Sequence, residues 1–333
     1  MSTTDAAPPL STPLVVGVDL GGTKMAAALV TADGALAGPL ASVPTPARSG
    51  PEAVLDAIAS VVDTVVSAGT HQAPGAPVAV SAVGVGSAGV VNVSTGTIVS
   101  ATDAITGWTG TLVATGVRSR LIAQGYGDMP VHVENDVDAY AGGEAWLGAG
   151  RDASSVLVVA VGTGVGGSVV INGTTVRGAH YVAGEIGHVP APGAENEMCT
   201  CGRRGHLEAI AAGPQIHRRY LAAGGDPEVA NAFEVEQRAD AGDPIASLVY
   251  RDSAIALGKV LAGVVAVLDP ERVVLSGGLA RAGELWWAPL RETFRAELID
   301  PLADVPLVRA ELGTNAPIIG AARGALRLLG ATA

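Results

Sequence analysis

Asp19, Gly21, Gly22, Thr23 and Lys24 form the first cluster in this 333-residue chain whose types suit phosphate chemistry. Glycines without Cβ let successive backbone N–H groups close on a phosphate, the Thr23 hydroxyl adds a donor, and the Asp19 carboxylate can hold Mg²⁺ directly or through water. The same types recur at Gly162, Thr163, Gly164, Gly166 and Gly167. Either turn alone also reads as an ordinary hairpin turn. Two of them at equivalent places point to one phosphate chain clamped from both sides.

Glu134-Asn135-Asp136 delivers a carboxylate to the end of an apolar run. Asp136 can act as a general base that accepts a hydroxyl proton, with Asn135 orienting that hydroxyl; the plainer role is capping of the helix that follows. Asp138 adds a second negative charge nearby, although helical geometry turns it elsewhere. The only two cysteines, Cys199 and Cys201, fall with His188 and His206 within nineteen residues. A disulfide across one intervening residue is strained, whereas two thiolates and two imidazoles complete a closed tetrahedral Zn²⁺ site that is structural and does not activate water. Glu185 and Glu208 flank this loop and can reach sugar hydroxyls or stay on the solvated surface. Ser276-Gly277-Gly278 offers bare backbone on which a flat ring can lie, or simply a strand-to-helix turn. His71, His132, His180 and His217 show no partner pattern and read as structural.

The elements that must position these groups follow from periodicity. Residues 14–20 read as a buried strand and 25–31 as its hairpin partner, ending at Ala32-Asp33-Gly34. An amphipathic helix runs from the S-G-P-E start at Ser49 to Gly69, followed by strands over 78–86 and 97–100 and a helix over 112–124. A strand over 131–134 presents Asn135 and Asp136 before a helix through Trp146. The pattern then restarts, with a strand over 156–161, the second glycine turn and a strand over 168–171. Later come helices from Leu207, a long helix over about 253–268, a strand over 272–275 and a last helix after Pro317. Each glycine turn joins strand to strand, which argues for a duplicated β-rich unit and against a Rossmann fold, whose G-x-G-x-x-G opens a helix.

Composition narrows the class further. At 48% hydrophobic and 16% charged residues the chain folds, and its length suggests two domains. Twenty basic against 32 acidic residues leave a net charge of -12, which opposes contact with nucleic acid or an anionic membrane. Lys259 interrupts the longest apolar stretch, which is shorter than the ~20 residues a bilayer requires. The N-terminus has no secretory pattern, so residues 1–13 are expected to be a disordered leader on a soluble, cytoplasmic protein.

Taken in order, G-V-D-L-G-G-T-K (Gly17 to Lys24), V-E-N-D (Val133 to Asp136), V-G-T-G-V-G-G (Val161 to Gly167), G-E-I-G-H (Gly184 to His188), C-T-C-G-R-R-G-H-L-E (Cys199 to Glu208) and L-S-G-G (Leu275 to Gly278) resemble the ROK family of repressors, open reading frames and sugar kinases. The resemblance covers nearly the whole chain. It implies an α/β, duplicated actin-like ATPase (ribonuclease H-like) fold, with two domains around a central cleft: residues 14–137 with 317–333, and residues 138–316 carrying the zinc loop. It implies that Asp136 is the catalytic base and that Asn135, Asp136, Glu185, His188 and Glu208 bind the sugar, His188 also ligating zinc. ATP with Mg²⁺ then lies across the two turns with adenine near Gly277 and Gly278. In-line transfer of the γ-phosphoryl group to a hexose or N-acetylhexosamine hydroxyl, most often the 6-hydroxyl, is the implied reaction. Dimers or tetramers are the implied assembly.

Three departures stand out. His206 occupies the place of a third family cysteine; Val137-Asp138 follows E-N-D where A-N is usual; and S-A-T-D at Ser100 to Asp103 replaces the commoner S-A-P-N, on the sugar side. The rival expectation is a sugar-binding sensor that does not turn hexose over. Its DNA-binding form usually has a helix-turn-helix module ahead of the first turn, where this sequence has a Pro-rich stretch. Polyphosphate as donor asks for a basic run that the sequence does not show.

Overall fold

Period-two alternation decides how the first sheet is faced. In β1 (Leu14–Leu20), Val16, Val18 and Leu20 enter one apolar layer, while Val15 enters the other. The structure is a computed structural model that describes residues 13–72 and 79–330; the expected leader up to residue 12, the expected strand start at Val78 and the last three residues lie outside these.

β1 turns back into antiparallel β2 (Lys24–Val30), and β3 (Ala41–Pro44) pairs with the free side of β2. After α1 (Pro51–Gln72), β4 (Val80–Ser87) lies parallel to β1. β5 (Val90–Asn92) and β6 (Thr97–Ser100) form a small separate pair, followed by α2 (Val113–Ala123). β7 (Val131–Asn135) then lies parallel to β4, and α3 (Asp136–Leu147) starts directly at its end. The strand order is β3-β2-β1-β4-β7.

The second sheet repeats this plan. β8 (Ser155–Val161), β9 (Val165–Ile171) and β10 (Thr174–Thr175) are antiparallel neighbours. The helices α4 (Glu208–Ala211), α5 (Gly213–Ala222), α6 (Ala232–Asp240) and α7 (Pro244–Leu268) precede β11 (Arg272–Ser276), which is parallel to β8. α8 (Glu284–Glu297) leads to β12 (Leu307–Arg309), parallel to β11. The order β10-β9-β8-β11-β12 matches the first sheet strand for strand, so the expected duplication is observed.

The chain then returns as α9 (Ala316–Leu328) to the first unit. Ile318, Ala322, Ala325 and Leu326 cover the layer containing Val15, Ala28 and Ala82. Backbone meets backbone there: a Cβ on Gly17 would stand 2.0 Å from the Ile318 carbonyl oxygen, and one on Gly84 1.8 Å from that of Ala321. Only glycine admits α9 at this depth. α1 and α2 cover the other face through Val54, Leu55, Ile58, Val62 and Val117. In the second unit α7 and α8 carry the core, with Trp286, Trp287, Leu290 and Phe294 buried; the Trp286 indole donates to Ser253 Oγ at 3.1 Å.

One compact unit comprises the chain through Trp146 and again from Thr314; the other is Leu147–Gly313. α3 therefore stays with the first unit, nine residues beyond the expected break at Val137, because a Cβ on Gly143 would stand 2.2 Å from the Ala316 carbonyl oxygen at the start of α9. α7 begins well before Ser253, where the Asp243 side chain accepts from the Ile245 and Ala246 N–H groups and Pro244 opens the first turn. Among the described residues no helix is long and apolar enough to cross a membrane.

Candidate active site and metal centre

Parallel strands bring their C-terminal ends to one side of the first sheet, and two acids end up there. Asp19 on β1 is opposite Gly86 on β4, and Gly86 is opposite Glu134 on β7. A Cβ on Gly86 would stand 2.9 Å from Ala139 Cβ and 3.7 Å from Asp136 Cα. The missing side chain makes room for the start of α3. Burial first and the Asp136 charge second push Asp19 up to about 6, against a smaller pull from Lys24. Burial also raises Asp136, opposed by hydrogen bonds from the Val137 N–H and from Asn135.

Asn135 Oδ1 accepts from the N–H groups of Val137 at 2.9 Å and Asp138 at 3.2 Å, and its Nδ2 donates to the Gly89 carbonyl at 2.9 Å. Asp136 Oδ1 also accepts from Val137, at 2.9 Å. The cap on α3 is therefore Asn135 and not Asp136, whose carboxyl sits on the first helical residue and is held by its neighbour's N–H. The first glycine turn is closed by Gly21 N–H to the Lys24 carbonyl at 3.1 Å. Thr45, next after β3, braces it twice, its hydroxyl donating to the Gly21 carbonyl at 2.7 Å and its N–H to that of Thr23 at 3.0 Å. Thr102 and Asp103 are exposed in the loop after β6.

In the second unit the equivalent turn borders a cavity of about 750 Å³ lined by Gly162, Thr163, Gly213, Phe233, Gly278 and Arg281, among others. Gly278 lines it directly, whereas Gly277 serves the turn itself: its φ is +86°, and a Cβ there would stand 2.3 Å from the Val161 carbonyl oxygen. A short 3-10 turn, Leu279–Arg281, follows this pair and precedes α8. The sequence reading missed Phe233 and Arg281, for which only the exposed aromatic of α6 offered a signal. His217, read as structural, does bond the Val229 carbonyl at 2.7 Å, but it also lines this cavity.

The G-E-I-G-H segment lies backbone-on-backbone against β9. A Cβ on Gly187 would stand 2.1 Å from the Val165 carbonyl oxygen, and one on Gly167 2.8 Å from that of Gly184. This close approach fixes His188, whose Nδ1 is 3.6 Å from Cys199 Sγ; His206 Nδ1 is 3.3 Å from Cys201 Sγ. One ligand atom from each of the four residues lies within 4.8 Å of every other. Zn–S and Zn–N bonds of about 2.3 and 2.0 Å ask for ligand separations only slightly shorter, so donor set and spacing fit a tetrahedral zinc ion. Burial raises the Cys199 thiol, whereas at Cys201 hydrogen bonds from Arg203 and Cys199 outweigh burial and lower it. His188 Nε2 faces away, 4.0 Å from Glu185 Oε2. Glu208, 9% exposed, accepts from the Val165 N–H at 3.1 Å and from the Thr200 hydroxyl.

The first unit thus holds Asp19, the first turn, Asn135 and Asp136, and the second holds the other turn, Gly277, Gly278, Glu185, Glu208 and the four metal-type ligands. Comparison with known proteins gives this arrangement its context. The glucokinase of Streptomyces coelicolor is 34% identical over 330 residues, covering 93% of this chain and 96% of that protein. The ROK hexokinase of Thermus thermophilus superposes with a TM-score of 0.82 at 34% identity, over 95% of this chain and 99% of that one. A ROK family glucokinase from Streptomyces griseus in complex with glucose and AMPPNP gives 0.73 at 31% identity, over 93% and 98%. The ROK family model itself matches residues 15–327. With its duplicated actin-like fold, the chain belongs to the ROK family.

Proposed function

We propose that this protein is an ATP-dependent hexose kinase in which Asp136 takes the proton of a sugar hydroxyl, the 6-hydroxyl of glucose or a related hexose or N-acetylhexosamine. The observation that carries the reading is the Asp136 carboxyl, held by the Val137 N–H just beyond the end of β7 and raised by burial. The hydroxyl oxygen forms a bond to the γ-phosphorus as its proton passes to Asp136, the bond from that phosphorus to its bridging oxygen breaks, and ADP leaves. The similarity to a glucokinase in complex with glucose and AMPPNP supports both substrates.

In this reading the two glycine turns hold the phosphates, through Gly21, Gly22, Thr23 and Lys24 and through Gly162, Thr163 and Gly164. The cavity beside Gly277 and Gly278 takes the adenine. Asp19 holds Mg²⁺, and an acid raised by burial and by the charge of a second acid is chemistry that a divalent cation relieves. Asn135, Glu185, His188 and Glu208 contact the sugar. Zn²⁺ is held by His188 Nδ1, Cys199, Cys201 and His206, which leaves His188 Nε2 for a hydroxyl. We place the enzyme in the cytoplasm as a homodimer or homotetramer, for light scattering to check.

Coupled ADP release across glucose, mannose, fructose and N-acetylhexosamines tests the reading, and phosphorus NMR of the product gives the position phosphorylated. Release with at least one sugar is expected. Sugar binding without release from any of them would replace the enzyme with a non-catalytic sensor.

A further inference from the structure

The second glycine turn is bracketed from both arms by one short stretch, 208–213. The Glu208 carboxylate accepts from the N–H of Val165, the residue after Gly164, and the Gly213 N–H donates to the Gly162 carbonyl at 2.8 Å. Gly164 lies under that carboxylate: a Cβ there would stand 2.9 Å from Glu208 Oε2. Its missing side chain therefore serves Glu208 as well as any ligand. The other oxygen of the same carboxylate accepts from the hydroxyl of Thr200, the residue between the two cysteines, and lies 3.7 Å from Cys199 Sγ. One buried carboxylate thus joins the Cys/His loop to the turn that borders the cavity.

We propose that Glu208 is a positioning residue through which metal in the Cys/His loop sets the second glycine turn, so that zinc occupancy and nucleotide affinity are coupled. This rests on the proposed reading of that turn as a phosphate site. With four ligands fixed by a metal, Thr200 and Cys199 hold the carboxylate, and the carboxylate holds the Val165 N–H in place. With the loop released, the turn keeps its own Gly162 N–H to Gly164 carbonyl bond and the Gly213 bond, but the Val165 arm loses its brace. Coupling between two sites is reciprocal, so nucleotide must tighten zinc by the factor by which zinc tightens nucleotide.

The test measures zinc affinity by competition with a chelator, in the presence and absence of saturating AMPPNP. A gain of roughly tenfold with AMPPNP is expected. Thr200→Val removes the hydroxyl but none of the four ligands; it should retain one zinc per chain, bring the gain close to unity and speed hydrogen exchange at the Val165 amide. Equal zinc affinity with and without AMPPNP in the parent, or an unchanged gain in Thr200→Val, overturns the coupling. Calorimetry of AMPPNP on the zinc-loaded protein separates the two readings. Binding without coupling sinks only this inference, and no binding sinks the kinase reading along with it.

Discussion

Asp19 and Asp136 converge on Gly86, the one on the strand beside it and the other with its Cα 3.7 Å from where a Gly86 side chain would begin. Burial first and the Asp136 charge second raise the proton affinity of Asp19, which puts opposite demands on the fold and on the chemistry.

Asp136→Asn keeps the shape and an acceptor for the Val137 N–H but removes the base. Turnover should fall by about 10²–10⁴-fold, the usual worth of a general base, while AMPPNP affinity stays within a few-fold. ADP release together with calorimetry checks this. Turnover near that of the parent enzyme would exclude Asp136 as base.

The pH profile follows from the direction of the Asp136 shift. Its carboxyl is raised above 3.8, so the reactive base form is lost while ordinary carboxylates are still ionised. kcat/KM should rise with pH along a limb centred above that value and then level off. A profile flat down to pH 4 in protein that remains folded would contradict the raised value.

Asp19 makes a prediction about stability. With its folded value at about 6 against 3.8, the native state binds the proton more tightly than the unfolded chain. Ionisation therefore destabilises the fold, fully above pH 6 and not at all well below 3.8, by on the order of 2–3 kcal/mol. Asp19→Asn should raise the melting temperature at pH 7.5, with the gap closing as pH falls toward 4, and should lose activity. No gap at pH 7.5, or one that widens in acid, would refute the account.

Two glycines facing α9 should respond in opposite ways. Gly84→Ala drives a methyl to 1.8 Å from the Ala321 carbonyl oxygen, which is backbone and cannot swing aside, and should destabilise by about 3 kcal/mol or more. Gly142→Ala meets only Gly320 Cα, at 3.7 Å, and should be neutral or gain up to about 1 kcal/mol from helix propensity. Chemical denaturation of the pair decides it.

The metal centre can be read by content. Purified protein should carry one zinc per chain; His206→Cys should keep it, and His206→Ala should weaken it and lower the melting temperature. Full zinc in His206→Ala would remove His206 from the ligand set.

Much of this was legible because strong local patterns agree with the fold. Apolar runs on either side of each glycine turn gave the paired hairpins, and the clustering of His188, Cys199, Cys201 and His206 gave a cluster that does converge in space. Other parts depend on contacts that local patterns do not encode. Gly166 and Gly167 read as turn but pair with Ala160 and Val159 inside β9, and Gly167 is glycine there because the G-E-I-G-H segment approaches its bare backbone. A helix after Gly278 is expected from the strand-to-helix turn, but the bounds of α8 are not legible although Trp286, Trp287, Leu290 and Phe294 mark a buried face, since Pro289 inside it reads as a breaker. Edge strands of two to four residues, β3, β10 and β12, carry too little periodicity to announce themselves. The brace of Glu208 on Val165 spans 43 residues of sequence, a distance over which spacing says nothing.

The return of α9 to the first sheet has a consequence for synthesis. Leu147–Gly313 is continuous and can collapse while still tethered to the ribosome, whereas the sheet begun at Leu14 waits with one face bare until residues 316–328 emerge. Nascent chains stalled before that point should recruit holding chaperones through Val15, Ala28 and Ala82, and even modest C-terminal nonsense lesions should be degraded rather than merely slowed.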